Sequence, residues 1–341
     1  MTRRLRIGIV GAGFGQRVHV PAFRSDSRCE VAAICSRTLE GATRAARELE
    51  IPYAYGKVSE MLAGGQVDAV SIAVPPAAQP ELVVAAAEAG KNVFCEKPLA
   101  VDESQATAAL AAVERARVVH AINFIFPEIG AWREARSILE KGTLGKLRHA
   151  ALSWRVETYA YAMGRDSWKT RSAEGGGTLA NFASHSFYYL EWLLGPVARI
   201  AARLTPPGGS GDARTDAWLE MASGCPVSIS VAADAFLGAG HRLEIYGDSG
   251  SLVLENRTVD YVNGFTLSTG TRESGALSDR PADVFPHADG RIGATAAIAR
   301  RFVDAILSGT QMRPNLADGV RVQRLMAAAR AADSTGAWQV V

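Results

Sequence analysis

The chain predicts an α/β protein of two parts: an N-terminal doubly wound parallel sheet, then an α+β domain with a large, mostly antiparallel open sheet. Three observations predict this. Strand-like and amphipathic helical segments alternate through the first third, as βαβ units do. A glycine-rich turn, Gly11-Ala12-Gly13-Phe14-Gly15, follows the first strand and opens a helix. After Pro127 the alternation gives way to runs of strands with few helices. At 341 residues two domains are the default, and the change of rhythm places them at 1–123 and 124–341.

The elements follow in order. Leu5–Val10 reads as a strand and Gln16–Arg24 as the helix behind the glycine turn. Glu30–Cys35 is a second strand, and Thr38 caps a helix running through Leu49. Ala69–Val74 is a buried strand stopped by Pro75-Pro76, and Pro80–Ala89 a helix closed by Gly90. Asn92–Cys95, Glu103–Arg117 and Val118–Phe124 continue as strand, helix and strand. In the second part a helix over Glu128–Glu140 precedes strands at Leu147–Val156, Val197–Leu204, Ala217–Met221, Val227–Ala233, Leu243–Tyr246 and Ser251–Glu255. Pro206–Gly211 is a turn between two of them, and Ala294–Leu307 and Leu316–Ala332 are closing helices.

The glycine turn points to a dinucleotide. Glycine tolerates positive φ and lets backbone approach a pyrophosphate, while the helix behind it favours negative charge. Gly11 and Gly13 fill the first two places of G-x-G-x-x-G, but the third falls on Gln16, with Gly15 one residue early. Strand–turn–helix context supports a Rossmann domain, with Gly11, Gly13, Phe14 and Gly15 at the cofactor. The second strand ends Cys35-Ser36-Arg37-Thr38, without the acid that usually meets a ribose 2′-hydroxyl. An arginine beside two hydroxyls favours NADP, with NAD as the alternative; the competing reading leaves Arg37 solvated and stacked on adenine. Open α/β sheets bind ligands beyond the carboxyl ends of their strands. Val74, Pro75, Glu96, Lys97 and Asn123 occupy those ends and complete the candidate cofactor edge. Lys97, delivered by Asn92–Cys95, suggests chemistry beside the nicotinamide.

Composition narrows the remaining classes. With 48% hydrophobic and 21% charged residues the chain is of ordinary globular type, and a net charge of +2 argues against a nucleic-acid surface. No apolar run is long enough to span a bilayer, and the start at Met1–Gly11 reads as a first strand rather than a leader, since glycines interrupt it. The cysteines Cys29, Cys35, Cys95 and Cys225 form no C-x-x-C pair and no zinc spacing, so no metal is expected. Free thiols of this kind suit a reduced, cytoplasmic setting.

A second constellation lies at Gly175-Gly176-Gly177-Thr178-Leu179-Ala180-Asn181-Phe182-Ala183-Ser184-His185. Three glycines opening a helix give close backbone access, and Asn181, His185 and Tyr188 share one helical face by spacing. Trp168, Lys169 and Arg171 precede the glycines and are placed to line a substrate mouth; the alternative is a packed tryptophan and two solvated cations.

Together these segments resemble the Gfo/Idh/MocA oxidoreductases over nearly the whole chain. The resemblance rests on Gly11-Ala12-Gly13, on Ala89–Ala100 with its Cys95-Glu96-Lys97-Pro98, on Asn123-Phe124-Ile125-Phe126-Pro127, and on Gly175–His185. It implies a hydride carried between nicotinamide and a carbinol carbon of a sugar, cyclitol or nucleotide-linked sugar. It places the catalytic lysine on Lys97 and the histidine acid/base on His185; Lys97 and Tyr188 are the candidate assistants, and Asn181 can orient the ring. Phe126, Trp168, Lys169, Arg171 and Asn181 then join Lys97 and His185 at the substrate. Many members carry carboxylates where this chain has Asn181 and Tyr188. An amide can orient the imidazole but gives it no negative charge. The resemblance also implies a homodimer or homotetramer through the open sheet. Its non-enzymatic alternative is a dinucleotide-binding sensor of the same fold.

Overall fold

The computed structural model describes residues 4–206, 211–280 and 284–341. They divide into two compact units, one of the described residues within 4–125 and 291–323, the other of those within 126–290 and 324–341. Residues 291–323 therefore group with the first unit, not with the second as a single cut at 123/124 requires. The reason is local: Thr295 hydrogen-bonds Asn123, and the Leu316 amide donates to His120 Nδ1, so this returning stretch completes the first core.

The first unit is a six-stranded parallel sheet in the order β3-β2-β1-β4-β5-β6. Its strands are β1 (Leu5–Val10), β2 (Cys29–Cys35), β3 (Tyr53–Tyr55), β4 (Ala69–Ile72), β5 (Asn92–Cys95) and β6 (His120–Ile122). The order reverses between β1 and β4, which makes the crevice above that pair the ligand site of the fold. Interleaved helices are α1 (Val20–Arg24), α2 (Leu39–Glu48), α3 (Val58–Ala63), α4 (Gln79–Glu88) and α5 (Glu103–Ala116). Thr38 caps α2 as expected, accepting from the Gly41 amide at 3.1 Å. The helix expected over Gln16–Arg24 begins instead as a π turn, Gly15–His19, in which Val20 N–H reaches Gly15 O. β3 and α3 have no counterpart in the sequence reading, being too short to show a period.

The second unit carries nine strands in the order β14-β13-β12-β11-β7-β10-β9-β8-β15. They are β7 (Leu147–Arg155), β8 (Val197–Thr205), β9 (Arg214–Met221), β10 (Pro226–Ala232), β11 (Gly240–Gly247), β12 (Gly250–Asn256), β13 (Thr266–Thr271), β14 (Ser278–Arg280) and β15 (Gln339–Val340). Every pairing is antiparallel except β7 with β10. Alternation along β9 buries Thr215, Ala217, Leu219 and Met221 and turns Trp218 to the open face. The helices of this unit are α6 (Gly130–Glu140), α7 (Tyr159–Ala162) and α8 (Ser184–Leu194); the stretch that groups with the first unit carries α9 (Gly290–Ser308) and the start of α10 (Leu316–Thr335). Of the turn expected at Pro206–Gly211, residues 207–210 lie outside the described residues.

Candidate active site

In the first unit the glycine turn has three different reasons for its glycines. Gly11 has φ +110°, and a Cβ there would lie 2.3 Å from Ala73 O. A Cβ on Gly15 would press to 2.9 Å from Ile9 Cγ2, so Gly15 does the helix-to-strand packing that the usual third glycine does, one residue early. Gly13 has open space within 4 Å of where its Cβ would be. Packing leaves Gly13 unexplained, whereas a pyrophosphate approaching the backbone explains it. Phe14 packs edge-on against His19, with the Arg291 guanidinium 5.5 Å from its ring centre.

Beside the turn opens a cavity of about 230 Å³ lined by Ala12, Gln16, Ser36, Arg37, Thr38, Gly41, Arg44, Ala45 and Glu48. Arg44 joins Arg37 here, a contribution missed from the sequence. Two of the cavity's polar groups already have partners: Ser36 Oγ donates to Thr38 O at 2.8 Å, and Gln16 Nε2 donates to Glu48 at 3.2 Å.

At the end of β5, Gln79 holds the backbone in place. Its Nε2 donates to Glu96 O (2.8 Å) and Pro98 O (2.9 Å), and its Oε1 accepts from Glu96 N–H (3.0 Å). The Lys97–Pro98 peptide is cis. Glu96 turns its carboxylate inward: Oε1 meets His19 Nε2 at 2.9 Å and accepts from Asn123 Nδ2 at 2.6 Å, and Oε2 accepts from Lys97 N–H at 3.2 Å. Burial alone pushes the Glu96 carboxyl up. The hydrogen bond and charge of His19, the charge of Lys97 and the Asn123 amide outweigh it and hold the group below the ordinary carboxylate range. His19 was absent from the sequence reading. Asn123 is 2% exposed and also reaches Thr295 Oγ1 at 3.1 Å. Val74 and Pro75 lie half-buried just past β4.

In the second unit Gly176 and Gly177 of the triple glycine pack against protein, not open space. A Cβ on Gly176 would fall 2.2 Å from Trp168 O, and one on Gly177 (φ +100°) 2.1 Å from Asp212 Oδ1. Leu179–Ala183 forms a π turn leading into α8. Spacing suggested that the Asn181 amide serves His185. Its nitrogen donates to Gly177 O (2.9 Å) and Lys169 O (3.1 Å), so both amide hydrogens tie the glycine loop to the Trp168–Thr170 turn. His185 is 8% exposed and meets Phe126 edge-on at 5.1 Å. Phe126 is itself buried among Trp132, Trp154, Tyr189 and His241, so it supports the imidazole from beneath. Tyr188 is half-buried. Lys169 lies 5.8 Å from the Trp168 ring centre, and Arg171 pairs with Glu174 (3.0 Å) and Asp166 (3.5 Å). Those acids answer much of the Arg171 charge locally. Among the described residues no group of three His, Cys, Asp or Glu converges as a metal site requires.

Residues 5–124 match the oxidoreductase family with an NAD-binding Rossmann fold, and residues 132–253 match the GFO/IDH/MocA C-terminal domain. An uncharacterised oxidoreductase of Synechocystis sp. is 33% identical across 99% of this chain and 96% of its own. The chain belongs to the GFO/IDH/MocA family. Levoglucosan dehydrogenase of Pseudarthrobacter phenanthrenivorans is 26% identical over 94% of each chain. A solved levoglucosan dehydrogenase, in complex with NADH and levoglucosan, has the same fold, with a TM-score of 0.88, 23% identity and 99% coverage of both chains. The protein is thus an oxidoreductase with an NAD-binding Rossmann fold. Among the described residues no helix is long and apolar enough to cross a membrane.

Proposed function

We propose that this member of the family is an NADP-preferring dehydrogenase or reductase acting on the carbinol or carbonyl carbon of a sugar, cyclitol or nucleotide-linked sugar. The observation that carries the reading is the strand end at Glu96-Lys97, held by Gln79 on the same sheet as a glycine turn whose Gly13 only a close ligand explains. The residues fit a dinucleotide: Gly13 admits the pyrophosphate to the backbone of a turn that Gly11 and Gly15 shape, and Val74, Pro75 and Asn123 border the nicotinamide end. The nicotinamide, when bound, donates or accepts the hydride. Lys97 polarises the substrate oxygen through its ammonium, and His185 takes or returns the hydroxyl proton, with Tyr188 as assistant. Asn181 serves by fixing the loop before α8, and Phe126 by seating the imidazole. Trp168 and Lys169 meet the substrate, while Arg171 braces their turn.

The NADP preference rests on Arg37 and Arg44 facing one cavity and on the absence of an acid at the end of β2. Two guanidiniums suit a ribose 2′-phosphate better than a bare diol. The open face of the nine-stranded sheet carries Trp218, 53% exposed, and supports association into a homodimer or homotetramer. Light scattering that gives a monomer mass at micromolar concentration rejects that assembly. The reaction is tested by following dinucleotide reduction against free sugars, sugar acids, cyclitols and nucleotide sugars. Tight cofactor binding without turnover on any of them favours the sensor reading instead.

A further inference from the structure

We infer that His19 is a positioning residue for the reacting lysine: through Glu96 it fixes the Lys97 segment and keeps an anion beside it. The inference rests on the proposed role of Lys97.

His19 comes from the π turn directly behind the dinucleotide loop, and its side chain is fully buried. Its ring is fixed at both nitrogens, with Nδ1 2.7 Å from Ser71 Oγ and Nε2 2.9 Å from Glu96 Oε1. Phe14 and Phe94 stand edge-on to the ring at 5.5 and 5.4 Å. An ionised carboxylate only accepts, so Nε2 carries the proton in this contact. Ser71 lies on β4, His19 follows β1, and Glu96 follows β5. The chain Ser71–His19–Glu96–Lys97 N–H thus ties the cofactor turn to the lysine across the switch point of the sheet.

A buried His–Glu pair adds little stability over apolar residues of the same volume, so stability does not account for it. Geometry and charge do. The groups facing Glu96 are His19 from the π turn, Asn123 from beyond β6, and Lys97 and Cys95 from its own segment. Burial and the Glu96 charge push the Cys95 thiol up, so it stays neutral. The anion's charge therefore faces Lys97, the cation of its own segment. Without His19 the carboxylate loses a donor and a charge, takes a proton at higher pH, and releases Lys97 from both its anchor and its counter-charge.

The test is the pH profile of kcat in His19→Ala, His19→Gln and wild type, on whichever sugar or cyclitol the panel turns over. His19→Ala should move the acidic limb up by about one pH unit or more and lower kcat about tenfold or more, with dinucleotide Kd changed less than about threefold. His19→Gln, which restores a donor to Glu96, should recover part of both. An unshifted profile in His19→Ala, or no recovery in His19→Gln, overturns the inference. Should His19→Ala fail to fold, Glu96→Gln serves, and an acidic limb unchanged there overturns it equally. A second readout needs no substrate: an NMR titration of isotope-methylated Lys97 should move to lower pH in Glu96→Gln, and an unmoved titration counts against the inference. Near-normal turnover in Lys97→Ala would defeat the role of Lys97 itself, whereas an inactive Lys97→Ala beside an unshifted His19→Ala defeats only the present inference.

Discussion

The Asp212 carboxylate occupies the space that a side chain on Gly177 would need, with Oδ1 2.1 Å from the ideal Cβ position. The same carboxylate accepts from the Leu179 amide at 2.8 Å and from Thr215 Oγ1 at 2.9 Å, and Asp212 O accepts from the Thr178 amide. The start of the His185 segment is therefore set by one acid from the β9 side of the unit. Gly177→Ala meets both a left-handed backbone and this carboxylate. It should cost at least about 2 kcal/mol in denaturant unfolding. A stability within about 0.5 kcal/mol of wild type would show that the loop shifts freely.

Asn181 offers a second probe of that loop. Its two amide hydrogens face two backbone carbonyls, so an aspartate there would set acceptor against acceptor. Asn181→Asp should lose about 1–3 kcal/mol and expose the Trp168–Thr170 turn to faster hydrogen exchange. Undiminished stability and protection would mean that the amide contacts are dispensable.

Cofactor choice follows from the cavity beside β2. NADP should bind more tightly than NAD, and Arg37→Ala should remove most of the difference, on the order of tenfold or more for a charge-assisted contact. Arg44→Ala should remove a smaller part, because Glu40 lies 3.8 Å from its guanidinium. Equal dissociation constants for both cofactors in the wild-type protein would end this reading.

Much of this was legible in sequence, and each exception has a physical cause. β1 and β5 were bounded to the residue because apolar runs end there in glycine and in Glu96-Lys97. Thr38 announced its helix through capping chemistry that is local by nature. His19 gave no such signal: its partners Ser71 and Glu96 are 52 and 77 residues away, and only sheet order brings them together. Gly15 looked like a flawed motif because its reason is contact with Ile9 across the turn. β13 and β14 were missed because Thr266–Thr271 and Ser278–Arg280, at one margin of the sheet, are polar strands with little apolar pattern. Arg44 was within reach, since a helix capped at Thr38 brings it near the end of β2 two turns on.

Acid should weaken the first unit through His120. The imidazole is buried, Nδ1 accepts from the Leu316 amide at 3.2 Å, and burial pushes its pKa down to about 4, with only a small opposing pull from Asp318. The unfolded chain binds the proton near the ordinary pKa of about 6.5 and the folded one does not until about 4. Stability contributed by neutral His120 is therefore whole above about pH 6.5 and falls as pH drops toward 4, by up to about 3 kcal/mol. His120→Asn should flatten unfolding free energy across that window. An equal slope in the variant would assign the loss to other groups.

The central claim is that this fold moves a hydride and that Lys97 serves the substrate oxygen. The direct measurement is turnover of NADP⁺ with an active panel compound carrying deuterium at the reacting carbon, compared between wild type and Lys97→Ala. The account predicts deuterium transferred to the nicotinamide in the wild type. In Lys97→Ala it predicts a loss of turnover of orders of magnitude, with dinucleotide affinity nearly unchanged. Reduced cofactor without deuterium, or near-normal turnover in Lys97→Ala, would contradict it.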